Sequence, residues 1–170
     1  MSSENKYKVI ASNLKFEGRA FINGKYVNSI DGETFETINP ATGEVLCTVA
    51  KCNSKDVDLA VKSSRKSFES GTWSRSTPEH RKEVLLKFAK LLSKEGEENS
   101  VLESVDTGKL IVDCINEVAN DAPMHFQWYG ELIDKVFGKV GPTDPSITSL
   151  VVKEPIGVVA GVVPWNFPFM

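Results

Sequence analysis

The sequence predicts an α/β fold, and three features predict it. Short β-branched strands and a hairpin signal fill the early part, and helical periodicity runs through the middle. A wholly apolar segment at 158–163 then reads as a strand buried on both faces, as in a parallel sheet packed between helices.

The chain has 170 residues, 41% of them apolar and 25% charged, which is ordinary for a soluble globular protein with one sizeable core. Twenty basic residues against 23 acidic ones leave a net charge of −3, too even to suggest nucleic acid or a membrane surface as a partner. Lys62, Arg65 and Lys66 are spaced like a solvated helix face rather than a basic patch. The polar start, residues 1–8, lacks the apolar core of a secretory signal. The longest apolar run, 156–165, is far short of the ~20 residues a membrane helix needs. Cys47, Cys52 and Cys114 are an odd number without paired spacing, which points to a reducing compartment and a cytoplasmic location.

Residues 1–15 read as a disordered polar lead. The hairpin follows at 19–29, where Asn23-Gly24 suits the positive φ of a two-residue type I′ turn. Thr34–Ile38 and 44–50 read as strands around the turn Asn39-Pro40-Ala41-Thr42-Gly43. Ser54 can cap a helix that carries Val57, Ala60, Val61, Ser64 and Phe68 on one face and stops at Gly71. Thr77-Pro78 starts a second helix, with Leu85, Phe88, Ala89 and Leu92 on one face, which Gly96 breaks before a shorter helix with Val101, Leu102 and Val105. Between 110 and 137 the period is helical but Pro123 interrupts it, predicting two helices, the second starting near Asn120 or Asp121. Beyond Gly141-Pro142 and Asp144-Pro145, residues 147–152 read as a strand and Pro155-Ile156-Gly157 as a turn into the apolar strand. A parallel strand needs neighbours reached through crossovers of a dozen or more residues. Met170 comes too soon after residue 163 for one, so the sequence reads as a truncated α/β domain.

The chemistry concentrates in Pro164-Trp165-Asn166-Phe167-Pro168, just past the carboxyl end of that strand, where open α/β sheets place their ligands. Two readings of Asn166 stand side by side. Its carboxamide, restricted by the flanking prolines, can donate N–H to an oxyanion without titrating. Equally, it can cap backbone groups in an aromatic, proline-bracketed turn. His80 and His125 read as surface or packing residues and Cys114 as a buried small side chain. The Cys47/Cys52 pair, with no companion His or Cys cluster, is weak evidence for zinc.

The run Glu154-Pro155-Ile156-Gly157-Val158-Val159, continuing to Pro164-Trp165-Asn166-Phe167-Pro168, resembles the aldehyde dehydrogenase superfamily where it enters its nucleotide-binding domain. Phe21-Ile22-Asn23-Gly24, Ile38-Asn39-Pro40-Ala41-Thr42-Gly43-Glu44, Asp106-Thr107-Gly108-Lys109, Trp128-Tyr129 and Ile133-Asp134-Lys135 extend the resemblance upstream in the same order. The last three are similar to the branch that oxidises amino-aldehydes such as γ-glutamyl-γ-aminobutyraldehyde.

The resemblance implies the N-terminal part of an aldehyde dehydrogenase fold. Residues 16–137 become the start of a cofactor-binding domain, 138–156 an oligomerisation-arm strand, and 157–170 the first strand of a Rossmann-like parallel sheet with its oxyanion loop. It implies that Asn166 holds the substrate carbonyl oxygen and the thiohemiacetal oxyanion. Val162, Val163, Pro164 and Trp165, with Asn166, form the floor under NAD or NADP, and Phe167 lines the aldehyde tunnel. Thr37, Ile38 and Asp106 match a monovalent-cation site, although Asp106 reads equally as a cap or turn former before Gly108. A small-molecule aldehyde is the implied substrate, and the parent protein is expected as a homodimer or homotetramer. The nucleophilic cysteine and the water-activating glutamate of the family have no match in this chain. The alternative is an inert truncated product that at most associates with intact subunits.

Overall fold

The computed structural model describes residues 3–170. Two antiparallel hairpins open the fold: β1 (Ala20–Ile22) with β2 (Lys25–Val27), and β3 (Thr34–Ile38) with β4 (Val45–Ala50). In the first turn Asn23 and Gly24 take φ values of 53° and 75°, the left-handed pair that a type I′ turn requires. A bulge interrupts the second ladder between Thr37 and Ile38, and such bulges re-aim side chains next to sites.

Helices α2 (Ser54–Ser70), α3 (Pro78–Lys94) and α4 (Gly96–Thr107) follow. Asn53, not Ser54, is the cap of α2. Its side chain accepts the N–H of Lys55, and Asp56 returns a bond to the Asn53 N–H in a capping box. Gly71, at φ 80°, ends α2 in the left-handed conformation. Thr77 caps α3 through the His80 N–H, with Pro78 in the first turn as the sequence predicts.

The 110–137 segment is more continuous than two separate helices. Helix α5 (Ile111–Cys114) widens into a π-helical stretch, Ile115–Asp121, which runs directly into α6 (Ala122–Leu132) and a 3₁₀ turn, Ile133–Lys135. The N–H of Ala122 reaches back to the Glu117 carbonyl, an i−5 bond, immediately before Pro123. The wider turn accommodates the proline, so the axis continues instead of breaking.

The core lies among these helices. Val101 of α4, Cys114, Val118 and Ala122 are buried, as are Ala89 and Leu92 of α3. Helix α3 packs along α6, where Phe88 and Phe126 meet edge to face with ring centres 4.7 Å apart. Helix α4 approaches the π-helical stretch through Gly96, where a Cβ would lie 2.8 Å from the Ala119 Cα.

Three further expectations are corrected. The lead expected to be disordered is helical from Ser3 to Asn13 (α1), packed on α4 and tied to it by an ion pair from Lys6 to Glu97. The apolar segment 158–163 forms no strand and is open to solvent, with Val162 98% exposed. A parallel ladder needs a neighbouring strand, and no described strand lies alongside it. The strand expected at 147–152 is shorter, Ser149–Val151 (β6), and pairs antiparallel with Lys139–Gly141 (β5).

Candidate oxyanion loop and its acidic support

The Pro164–Pro168 motif folds as consecutive turns at the end of the chain. Pro164 and Pro168 each fix one φ angle near Asn166 and remove a backbone donor, so few conformations compete. Asn166 is exposed, and its carboxamide hydrogen-bonds to no described residue, so both N–H donors and the carbonyl are free. The self-capping alternative for that side chain is therefore absent. Val163 and Trp165 are exposed beside it, and Phe167 is 41% exposed.

The loop's second half turns inward. Pro168 and Phe169 line a cavity of about 420 Å³ with Phe35, Thr37, Glu103 and Asp106. Two of the three residues read from the sequence as cation ligands thus share a cavity, and the Thr37 hydroxyl donates to the Asp106 carboxylate at 3.2 Å. Ile38 sits past the bulge, half exposed and outside that lining.

One wall of this cavity carries a charged group that sequence reasoning missed. Glu103 is buried on α4, its side chain 2% exposed, and its Oε2 has no hydrogen-bond partner among the described residues. Its Oε1 accepts from the Lys109 ammonium at 3.2 Å, and Glu117 of the π-helical stretch accepts from the same ammonium. Burial alone would lower the Lys109 pKa, but its hydrogen bonds to Glu117 and Glu103 outweigh this and raise it above the ordinary lysine value. The same Nζ stands 4.3 Å from the centre of the Phe167 ring. On a helix surface Glu103 reads as one more solvated acid, so only its proximity to Lys109 in Asp106-Thr107-Gly108-Lys109 could have signalled it.

Of the cysteines, Cys47 lines this cavity, and Cys52 and Cys114 lie outside its lining. Cys114 is fully buried, and burial, with Glu103 nearby, pushes its thiol up to about 11. That is the opposite of an activated nucleophile. Cys47 is half-buried and Cys52 exposed. His80 and His125 are exposed; His80 stacks edge-on near Trp73, and a ring nitrogen of His125 lies 2.8 Å from the Asp121 carbonyl oxygen.

Hairpins and helices in this order, leading to an apolar segment and an exposed carboxamide between two prolines, are the arrangement of a known protein class. The model of the aldehyde dehydrogenase family matches residues 26–170, and the chain belongs to that family. It is 43% identical over 168 residues to an aminoacetaldehyde dehydrogenase of Pseudomonas aeruginosa, covering 99% of this chain and 34% of that protein. It is equally 43% identical to the NADP/NAD-dependent aldehyde dehydrogenase PuuC of Escherichia coli, covering 94% of this chain and 32% of that one. Among solved structures, the indole-3-acetaldehyde dehydrogenase AldA of P. syringae, in complex with NAD+ and IAA, superimposes with a TM-score of 0.96 at 43% identity, over 100% of this chain and 34% of that one. A γ-glutamyl-γ-aminobutyraldehyde dehydrogenase of Burkholderia cenocepacia gives 0.93 at 42% identity, over 97% and 34%. The fold is thus that of the N-terminal part of aldehyde dehydrogenases, and the chain spans about a third of the length of the curated relatives it matches. The resemblance to amino-aldehyde dehydrogenases read from the sequence is shared by these relatives.

Proposed function

We propose that these residues form the oxyanion-holding part of an NAD(P)-dependent aldehyde dehydrogenase, which oxidises an aldehyde to its carboxylic acid through a cysteine thiohemiacetal. The observation that carries this reading is the Asn166 carboxamide, bracketed by Pro164 and Pro168 and free of any hydrogen bond to the described residues. A neutral amide held in a restricted loop donates N–H to a carbonyl oxygen, and donates more strongly as negative charge builds there. It titrates nowhere near neutral pH, so the stabilisation does not depend on protonation. Phe167 supplies an apolar wall for the aldehyde side chain next to that donor.

Val162, Val163, Pro164 and Trp165 suit the floor of a dinucleotide site. They are uncharged, Val162 and Trp165 are 98% and 87% exposed, and a Cβ added at Gly161 would meet nothing, so the surface is apolar and open to a flat ring. When bound, NAD or NADP supplies the hydride acceptor for the oxidation. The chain's own residues provide contact area and exclude water there. Related proteins named for aminoacetaldehyde and γ-glutamyl-γ-aminobutyraldehyde support a small amino-aldehyde as substrate.

Thr37, Ile38 and Asp106 complete the reading as a monovalent-cation site, supported by the Thr37–Asp106 contact. A homodimeric or homotetrameric assembly is supported by the β5–β6 hairpin, whose Val140 and Leu150 are 73% and 65% exposed. Three unpaired thiols support the cytoplasm as its compartment. No described helix is long and apolar enough to cross a membrane.

Asn166→Ala in the full-length enzyme tests the central claim. Loss of an oxyanion donor lowers kcat by on the order of 10²–10³ while cofactor affinity stays close to wild type. An unchanged kcat would return Asn166 to a turn-forming role.

A further inference from the structure

We propose that Lys109 is a positioning residue for the carboxamide loop, clamping Phe167 through its ammonium and so fixing where Asn166 sits. The inference rests on the oxyanion role given to Asn166, and it adds a residue outside the loop as the loop's anchor.

The anchor is rigid at its base. Gly108, at φ 76°, ends α4 in the left-handed conformation, and a Cβ there would meet the Pro40 ring at 2.8 Å. The Ser104 hydroxyl donates to the Lys109 carbonyl at 2.7 Å, and the Lys109 N–H donates to the Thr107 hydroxyl at 3.3 Å. The backbone of Lys109 is therefore held to the last turn of α4 whatever its side chain does.

The tip is rigid as well. An ammonium has three donors on a compact centre. Glu103 and Glu117 accept from it, and Nζ also stands over the face of Phe167, 4.3 Å from the ring centre. Glu103 and Lys109 are both largely shielded, at 2% and 20% side-chain exposure, so water competes poorly for either contact. A cation over an aromatic face in such surroundings is a real attachment. Phe167 is covalently next to Asn166, so a ring that cannot slide limits the positions open to the carboxamide. Elsewhere in the loop Val162 and Trp165 are open to solvent, which leaves the Phe167 ring and the Pro168–Phe169 end as its points of attachment.

The test is a double-mutant cycle in the full-length enzyme. Lys109→Met is made in a background of Glu103→Gln with Glu117→Gln, so that neither partner carboxylate is left shielded without its cation, and each variant is repeated with Phe167→Leu. Lys109 acting through the ring predicts a fall in kcat of on the order of 10-fold or more with Phe167 present, since misplacing a catalytic group by about 1 Å costs up to about 10²-fold. With Leu at 167 the same Lys109 substitution changes kcat by less than about 2-fold. Cofactor Kd stays level throughout. Lys109→Arg, which keeps a cation for both carboxylates and the ring, restores most of the rate. Lys109→Gln keeps N–H donors for the carboxylates but places no charge over the ring; it is the second, gentler variant and shows the same dependence on Phe167. Equal losses with and without Phe167, no loss in either, or failure of arginine to rescue would overturn the proposal. The separate Asn166→Ala measurement reports on the oxyanion role alone, so a failure of that reading is distinguishable from a failure of the Lys109 anchor.

Discussion

Asp56 and Ile30, 26 residues apart, are joined by a hydrogen bond of 2.9 Å from the Ile30 N–H to the Asp56 carboxylate. The other oxygen accepts the Asn53 N–H at 2.9 Å, so one side chain closes the cap of α2 and ties it to the chain leaving the first hairpin. The Asn53 and Ile30 N–H groups, in that order, hold the Asp56 pKa below its ordinary value of 3.8.

Because the folded-state pKa is depressed, the stabilisation from Asp56 is fully present above the unfolded value of 3.8 and is lost as pH falls through the lower folded value. Asp56→Ala therefore lowers Tm at pH 7, on the order of 5 °C for a chain of this size. The gap between variant and wild type shrinks as pH falls below 3.8. Thermal melts across that range check it; a gap that stays constant would mean the carboxylate charge is irrelevant.

Gly96 opens α4 where it crosses the π-helical stretch, with Ala119 so close that an added methyl would lie 2.8 Å from both its Cα and its Cβ. Gly96→Ala gains helix propensity, up to about 1 kcal/mol. Forcing the two backbones apart costs about 1–3 kcal/mol, so the clash wins. The urea midpoint is expected to fall, and a raised midpoint would show that the crossing yields without cost.

Which parts were legible in the sequence follows from how local their causes are. Asn23-Gly24 and Thr77-Pro78 act within three residues, and both formed as read. Asn53 took the cap from Ser54 because the capping box needs an acid three residues on, and Asp56 stands there for Asn53. The helix at Ser3–Asn13 has weak amphipathic spacing of its own and gains its support from α4, across 91 residues in the Lys6–Glu97 pair. The 158–163 segment is apolar as read but forms no strand, because a strand is a property of two segments and its partner cannot be found locally. The same holds at the site. Asn166 was visible because prolines flag it, whereas Glu103 looks like any helix acid until Lys109 and Glu117 are folded against it.

The three thiols should report this architecture chemically. Cys52 is exposed, Cys47 half-buried, and Cys114 buried with its thiol pushed up to about 11. At about pH 8 only roughly one Cys114 side chain in a thousand is thiolate, and that fraction is also shielded. Iodoacetamide followed by mass spectrometry is expected to modify Cys52 quickly, Cys47 slowly, and Cys114 only after denaturant is added. Rapid native labelling of Cys114 would place the α4 packing in doubt.

Asp106 offers the sharpest separation between a ligand and a turn former. Its carboxylate accepts from the Thr37 hydroxyl in a cavity that also takes in Pro168 and Phe169, next to a bulge between Thr37 and Ile38. Carbonyls with one carboxylate suit a hard monovalent cation. A ligand present at ten times its Kd stabilises the folded state by about 1.4 kcal/mol, or roughly 2–4 °C in Tm for a protein of this size or larger. Full-length protein is therefore expected to melt higher in potassium chloride than in tetramethylammonium chloride at equal ionic strength. Asp106→Asn is expected to abolish that difference, since it keeps the shape and the turn-forming oxygen but removes the charge. Should Asp106→Asn lower Tm equally in both salts, Asp106 acts only on the turn before Gly108, and the cation assignment to Thr37, Ile38 and Asp106 falls with it.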